Sequence, residues 1–123
     1  MQALALDHVV LEVRDVDAAL RFYCDALGLT GERVDEFRSG SAPFPSVRAG
    51  GSLIDLFASA TPGPGPNHFC IEVADGPEAL LADLAARGVP VERPGRRYGA
   101  RGEGFSVYVR DPDGHTIEVR TYA

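Results

Sequence analysis

The chain has no tryptophan, one methionine, two cysteines and three histidines among its 123 residues. With aromatic residues at 8%, there is little material for a ring-lined cleft. Cys24 and Cys70 form no CxxC pair, which argues against the familiar zinc and thiol-exchange spacings and excludes a dense disulfide framework. Both lie in apolar, periodic segments and are expected as buried free thiols in a reducing compartment. Positive charge is also scarce: 12 Lys and Arg against 18 Asp and Glu leave a net charge of −6. Nucleic acid is thereby excluded as the main partner, because binding its backbone needs concentrated basic residues. No run approaches the ~18 apolar residues of a membrane span. The first residues lack the basic and apolar regions of a signal peptide. The expected location is the cytoplasm, and the expected partner is a small molecule or a metal.

What the chain does have is a repeat. His8-x3-Glu12-Val13 recurs as His68-x3-Glu72-Val73, 60 residues later. Between 8 and 28, eight of 21 positions match their partners, where average composition supplies roughly one or two. Leu53-Ile54-Asp55-Leu56 likewise faces Thr116-Ile117-Glu118-Val119 at an offset of 63. Each copy thus opens on a histidine and closes on a carboxylate. Two copies are too few for a solenoid, which needs at least ~3 repeats. With 45% hydrophobic residues, the chain is expected as one domain spanning 1–123. Its parts are a first module over 1–59, a Pro/Gly linker over 60–67 and a second module over 68–123.

Residues His8 to Val13 alternate as a strand, with Val9, Leu11 and Val13 for packing and His8, Val10 and Glu12 on the other face. Asp15 is a good N-cap for a helix through Val16, Ala19, Leu20, Tyr23, Cys24 and Leu27, stopped by Gly28. The second copy repeats this with a strand from Phe69 to Val73, a cap near Asp75, Pro77 in the first turn and a stop at Gly88. Further strands are expected near Glu32 to Phe37, Val47 to Ala49, Ser52 to Phe57, Val89 to Glu92, Phe105 to Arg110 and Thr116 to Thr121. Each half therefore reads βαβββ, an α+β chain. Asp111-Pro112-Asp113-Gly114 is a hairpin turn that brings Tyr108 and Glu118 onto paired strands. Ser39 to Ser46 and Pro94 to Gly104 are expected as mobile rim loops.

Two imidazoles and a carboxylate, His8, His68 and Glu118, form a set that holds a divalent metal and leaves positions open for substrate. Strand parity agrees, since His68 and Cys70 oppose Phe69, Ile71 and Val73, and Glu118 opposes Ile117 and Val119. His115, inside the turn, is expected to be solvated. Arg96, Arg97 and Arg101 cluster on a Gly-rich stretch, either as donors for a carboxylate or phosphate or as a solvated basic loop.

The duplicated pattern, the opening LDHVVLEVRDVDAALRFYCDALGL and the closing SVYVRDPDGHTIEV resemble the vicinal oxygen chelate superfamily. That group contains glyoxalase I, extradiol dioxygenases, fosfomycin-resistance proteins and bleomycin-binding proteins. The resemblance implies two tandem βαβββ modules whose curved mixed sheets surround a metal cavity, with two chains cooperating as a homodimer around shared sites. His8, His68 and Glu118 match its metal ligands, for Fe, Mn, Zn or Ni. Asp55 matches the position of a fourth ligand, a glutamate, in glyoxalase I, and is one methylene shorter. It coordinates through water, acts as a base or merely faces the cavity. Tyr108 matches a substrate-site tyrosine, either hydrogen bonding to a metal-bound oxygen or packing its ring. Val10, Phe57, Cys70, Arg101 and Ser106 are the expected substrate-binding positions.

Departures from the pattern narrow the branch. Leu53 and Gly99 stand where extradiol dioxygenases have acid/base histidines, and Val10 replaces a threonine of the fosfomycin-resistance proteins. The stretch from Arg96 to Glu118 is most similar to a glyoxalase-domain-containing type with GA-x-G…S-x-Y-x-RDPDG. The resemblance implies a metal-dependent lyase, isomerase or dioxygenase-type enzyme acting on a small oxygenated substrate. The alternative is a resistance protein of the same fold that binds an antibiotic or metabolite without chemistry.

Overall fold

The computed structural model describes residues 2, 6, 8–99 and 101–123, and of residues 98 and 99 only the backbone. Ala100 of the GA-x-G signature lies outside the described residues. So do five of the first seven positions, where the signal-peptide expectation falls. The chain divides into two compact units, Met1–Gly65 and Pro66–Ala123. Each holds one four-stranded mixed sheet, and the class is α+β.

In the first unit β1 (His8–Val13), α1 (Val16–Leu20), β2 (Thr30–Glu32), α2 (Val34–Arg38), β3 (Ser46–Ala49) and β4 (Ser52–Ala58) follow in order. The sheet runs β1-β4-β3-β2, with β1 parallel to β4 and the remaining pairs antiparallel. Alternation buries Leu11, Val13, Val47, Ile54 and Leu56, and the helical segment contributes Val16, Ala19, Leu20 and Tyr23 to the core. Asp15 caps α1 as expected, its Oδ1 accepting from Ala18 N at 3.0 Å. The helix then widens into a π-helical stretch, Arg21–Ala26, and Gly28 leaves it with φ 78°. On the opposite sheet face, His8, Val10 and Glu12 stand beside Leu53, Asp55 and Phe57.

The second unit repeats the order without a counterpart of α2: β5 (Phe69–Glu72), α3 (Pro77–Ala86), β6 (Glu92–Gly99), β7 (Gly102–Arg110) and β8 (Thr116–Thr121). Its sheet runs β5-β8-β7-β6, again with its first and last strands parallel. Val107, Val109, Ile117 and Val119 are buried on one face, and Leu80 and Leu84 of α3 are buried as well. The Asp-Pro-Asp-Gly turn joins β7 to β8, with Gly114 at φ 83°, and sets Tyr108 opposite Glu118.

Several expectations need correction. The strand expected from Glu32 to Phe37 ends at Glu32: Arg33 turns left-handed at φ 57° and α2 begins, with Asp35 and Glu36 in its first turn. Acids there complement the helix dipole, and Arg38 at the other end pairs with Asp17 at 3.1 Å. The strand expected from Val89 to Glu92 instead starts at Glu92, and the rim loop expected over Pro94 to Gly104 is most of the β6–β7 hairpin. A bulge between Glu92 and Gly95 accommodates Pro94 within the edge strand. The Ser39–Ser46 loop is tied down, since Ser39 and Ser41 hydroxyls both donate to Glu36 O at 3.1 Å. The cap expected near Asp75 is the next residue, Gly76. His115 is buried rather than solvated, its main-chain N donating to Asp111 Oδ1 at 2.8 Å as the turn folds inward. Cys70, expected to be buried, is exposed, because it lies on the open face of the edge strand β5. Among the described residues, no helix is long and apolar enough to cross a membrane.

Ile117→Ala removes a fully buried side chain from a central strand and is expected to lower stability by about 2–5 kcal/mol. Val91→Ala, at an exposed site, should stay within about 0.5 kcal/mol. Urea midpoints that shift equally for both would contradict this packing.

Candidate functional site

In the second unit the register places Cys70, Glu118 and Tyr108 side by side across β5, β8 and β7. His68, two residues before Cys70, brings its Nε2 to 3.4 Å from Glu118 Oε2. The Tyr108 ring meets the His68 ring edge-on, centroids 5.6 Å apart. Glu118 is 6% exposed and Arg120 4% exposed. Two residues apart on one strand, they share a face, and Arg120 Nη2 donates to Glu118 Oε1 at 3.0 Å. Arg120 Nη1 donates to Arg97 O at 2.9 Å. A buried charge is costly unless paired and hydrogen bonded, so each of these groups makes the other tolerable. Burial works to lower the Arg120 pKa, but the hydrogen bond and charge of Glu118, with Tyr122 and Cys70 adding to them, hold it above the usual arginine value.

The donor chemistry suits a cation between His68 and Glu118. His68 Nδ1 lies 2.7 Å from Asn67 Oδ1. If that contact is Nδ1–H donating to the amide oxygen, Nε2 carries a bare lone pair facing a carboxylate oxygen. Two such acceptors need a proton or a metal between them. Two ligands about 2.0–2.2 Å from a tetrahedral ion are themselves about 3.3–3.6 Å apart, which accommodates the observed spacing. The structure thus brings together His68, Glu118, Tyr108 and Cys70. Among the described residues no group of three or more His, Cys, Asp or Glu gathers as a metal centre. His8 belongs to the first unit, where it is exposed on β1 opposite Leu53.

Around this pair, Cys70, exposed as a residue but partly desolvated by its neighbours, has its thiol pKa raised by that desolvation and then by the Glu118 charge, with Arg120 opposing. Arg101 lies against Glu72 and 4.7 Å from the Tyr122 centroid. Arg96 pairs with Glu103 at 4.0 Å. Arg97 donates to the carbonyls of Gly95 and Ser106, and its guanidinium lies 5.1 Å from the Tyr108 centroid. Arg93 approaches the same ring at 4.1 Å. Ser106 Oγ is fully buried and has no hydrogen-bond partner among the described residues.

In the first unit, Asp55 is buried and accepts from Ser46 Oγ at 2.6 Å. Arg33 Nη2 donates to the same hydroxyl at 3.3 Å, and its guanidinium lies 4.5 Å from the Phe44 centroid. Phe44 packs against Phe57 at 4.4 Å. Phe57 and Val10 remain 39% and 45% exposed, an apolar surface beside Asp55.

Sequence reasoning missed Arg120, Asn67, Ser46, Arg33 and Arg93. Two signals were available. Asn67 is the one asparagine in the chain and directly precedes a candidate ligand, and Glu32-Arg33 recurs as Glu92-Arg93 at the same offset of 60 as the histidines. Nothing in the sequence marks Arg120 as buried.

Arg120→Met leaves Glu118 buried without its cation and is expected to cost about 3–5 kcal/mol. Adding Glu118→Gln should restore part of that loss, read as the thermal midpoints of the single and double variants. A double variant no more stable than Arg120→Met would contradict a charge-pairing role.

The family model described as the Glyoxalase/Bleomycin resistance protein/Dioxygenase superfamily matches residues 5–119. The chain is 30% identical to Virulence protein STM3117 of Salmonella typhimurium, across 95% of this chain and 83% of the relative. The crystal structure of that protein superposes with a TM-score of 0.84 at 28% identity, covering all of both chains. Glyoxalase domain-containing protein RDO1 of Mycosarcoma maydis is 32% identical over 96% of this chain and 68% of its own length. The structure of lactoylglutathione lyase from Agrobacterium tumefaciens matches with a TM-score of 0.72 and 26% identity, over 99% of this chain and 96% of that one. Two βαβββ units, each with a histidine in or just before its first strand, thus accompany a match along nearly the full length, and the chain belongs to the Glyoxalase/Bleomycin resistance protein/Dioxygenase superfamily.

Proposed function

We propose that this chain is a metal-dependent enzyme of the lyase, isomerase or dioxygenase type, acting on a small substrate that presents two adjacent oxygens. The observation that carries this reading is the His68–Glu118 contact at 3.4 Å, with the carboxylate anchored from behind by a buried arginine. His68, Glu118 and His8 are the proposed ligands of one divalent ion, Fe, Mn, Zn or Ni, with His8 assigned from the repeat. The ion supplies Lewis acidity and a template for the two oxygens. Arg120 and Asn67 hold the carboxylate and imidazole in position, as outer partners of metal ligands commonly do. Tyr108 donates a hydrogen bond to a substrate oxygen. Asp55, one oxygen engaged by Ser46, takes a proton on the other. Val10 and Phe57 contact the apolar part of the substrate. The proposed assembly is a homodimer, a second copy supplying donors that one unit lacks.

The exposed Val10 and Phe57 also favour a second reading, a protein that binds an apolar metabolite or antibiotic without chemistry. Metal analysis separates the two. Untagged protein is expected to carry or bind about one divalent ion per site, and His68→Ala to abolish it. Asn67→Ala should weaken affinity about 10–100-fold through loss of ring orientation. No metal uptake, or full affinity after His68→Ala, would reject the enzyme reading. A screen of diols, hemithioacetals and epoxides on the loaded protein then identifies the reaction class.

A further inference from the structure

We propose that Arg93 and Arg97 are the docking point for an oxyanion, a carboxylate or phosphoryl group carried by the substrate. This rests on the reading that the His68–Glu118–Tyr108 face receives that substrate. All 12 basic residues of the chain are arginines. In the second unit, five of them face acids: Arg87 with Asp83, Arg96 with Glu103, Arg101 with Glu72, Arg110 with Glu92 and Arg120 with Glu118. Arg93 and Arg97 form no ion pair among the described residues; the neighbouring Glu92, which feels the Arg93 charge, is engaged by hydrogen bonds from Arg110. Both guanidinium groups lie within 5.1 Å of the Tyr108 ring centroid, beside the candidate metal ligands. Arg97 spends donors on the carbonyls of Gly95 and Ser106, whereas Arg93 lies over the ring and acts on Glu92 through its charge alone.

The backbone supports a specific placement. Arg93 is left-handed at φ 49°, uncommon for a residue with a Cβ, and it sits in the bulge between Glu92 and Gly95. Bulges often re-aim a side chain toward a site. The repeat supplies an internal comparison. Arg33, 60 residues earlier, is also left-handed at φ 57° and also lies over a ring, that of Phe44. There the donor reaches Ser46, which holds the carboxylate of Asp55.

By register, Ser46 lies opposite Glu32 and Asp55, as Tyr108 lies opposite Glu92 and Glu118. The second copy therefore keeps the arginine but has a ring where the first has a hydroxyl, and Arg120 has engaged its carboxylate. The first unit links its arginine to Asp55 through Ser46; the second offers Arg93 no such hydrogen-bonded acceptor, which leaves its donors for a ligand. Ser106, two residues before Tyr108 on the same face of β7, adds a buried hydroxyl without a partner.

The test is calorimetric titration of the chelator-treated full chain with inorganic phosphate, methylphosphonate and acetate. Neutral dimethyl methylphosphonate serves as the control. At least one anion is expected to bind and the neutral ester not to; acetate against the phosphorus anions separates carboxylate from phosphoryl preference. Arg97→Gln and Arg93→Gly should each weaken binding about tenfold, the loss of a charge-assisted hydrogen bond. Arg96→Gln should leave it unchanged. Glycine suits the left-handed backbone at 93, so that variant keeps the fold while losing the guanidinium. Failure of every anion to bind, or wild-type affinity in both Arg93→Gly and Arg97→Gln, overturns the proposal. Anion binding without metal uptake would leave the oxyanion site standing and remove the metal reading; metal uptake without anion binding would do the reverse.

Discussion

The pairing of Glu118 with Arg120 is the constraint from which the rest of the second unit's site follows. An ionised carboxylate this deeply buried persists only if its charge is met and its lone pairs are used. Arg120 meets the charge at one oxygen and fastens itself to the backbone at Arg97, which ties the central strand to the edge strand β6. The other oxygen is thereby directed to His68. A buried ion pair adds little net stability over a hydrophobic pair of the same shape. Its retention in a chain so rich in apolar core residues accords with a role in geometry.

Much of the fold was legible because the alternation is strong where strands are half buried. His8–Val13 and Thr116–Thr121 have the expected limits, and the turn at Asp111 to Gly114 sets the Tyr108–Glu118 register. The failures fall where one backbone angle decides the outcome. Arg33 and Arg93 both leave the strand conformation through a left-handed turn, and no composition rule assigns arginine to that region. Glycine and proline in Pro94 to Gly104 suggested a loop, whereas they accommodate a bulge inside a hairpin.

The candidate site was legible in its donors and not in their supports. Histidines and acids announce themselves by type and spacing. Arg120 and Ser46 do not, because their roles come from which side chain stands across a strand pair. The repeat was informative beyond its histidines, since Glu-Arg recurs at the same interval. Divergence within that repeat is where function has room to develop: Glu12 accepts from the main chain of Gly63, while Glu72 engages a guanidinium.

In both units the last strand in order, β4 or β8, pairs in parallel with the first and carries the acid. Such pairing joins residues some 45 or more positions apart, a long-range closure of the kind that slows folding. Completing either sheet and placing its acid are therefore one event. A half-folded unit without its closing strand would lack the placed acid, so the histidine and the carboxylate come together only when the sheet is closed.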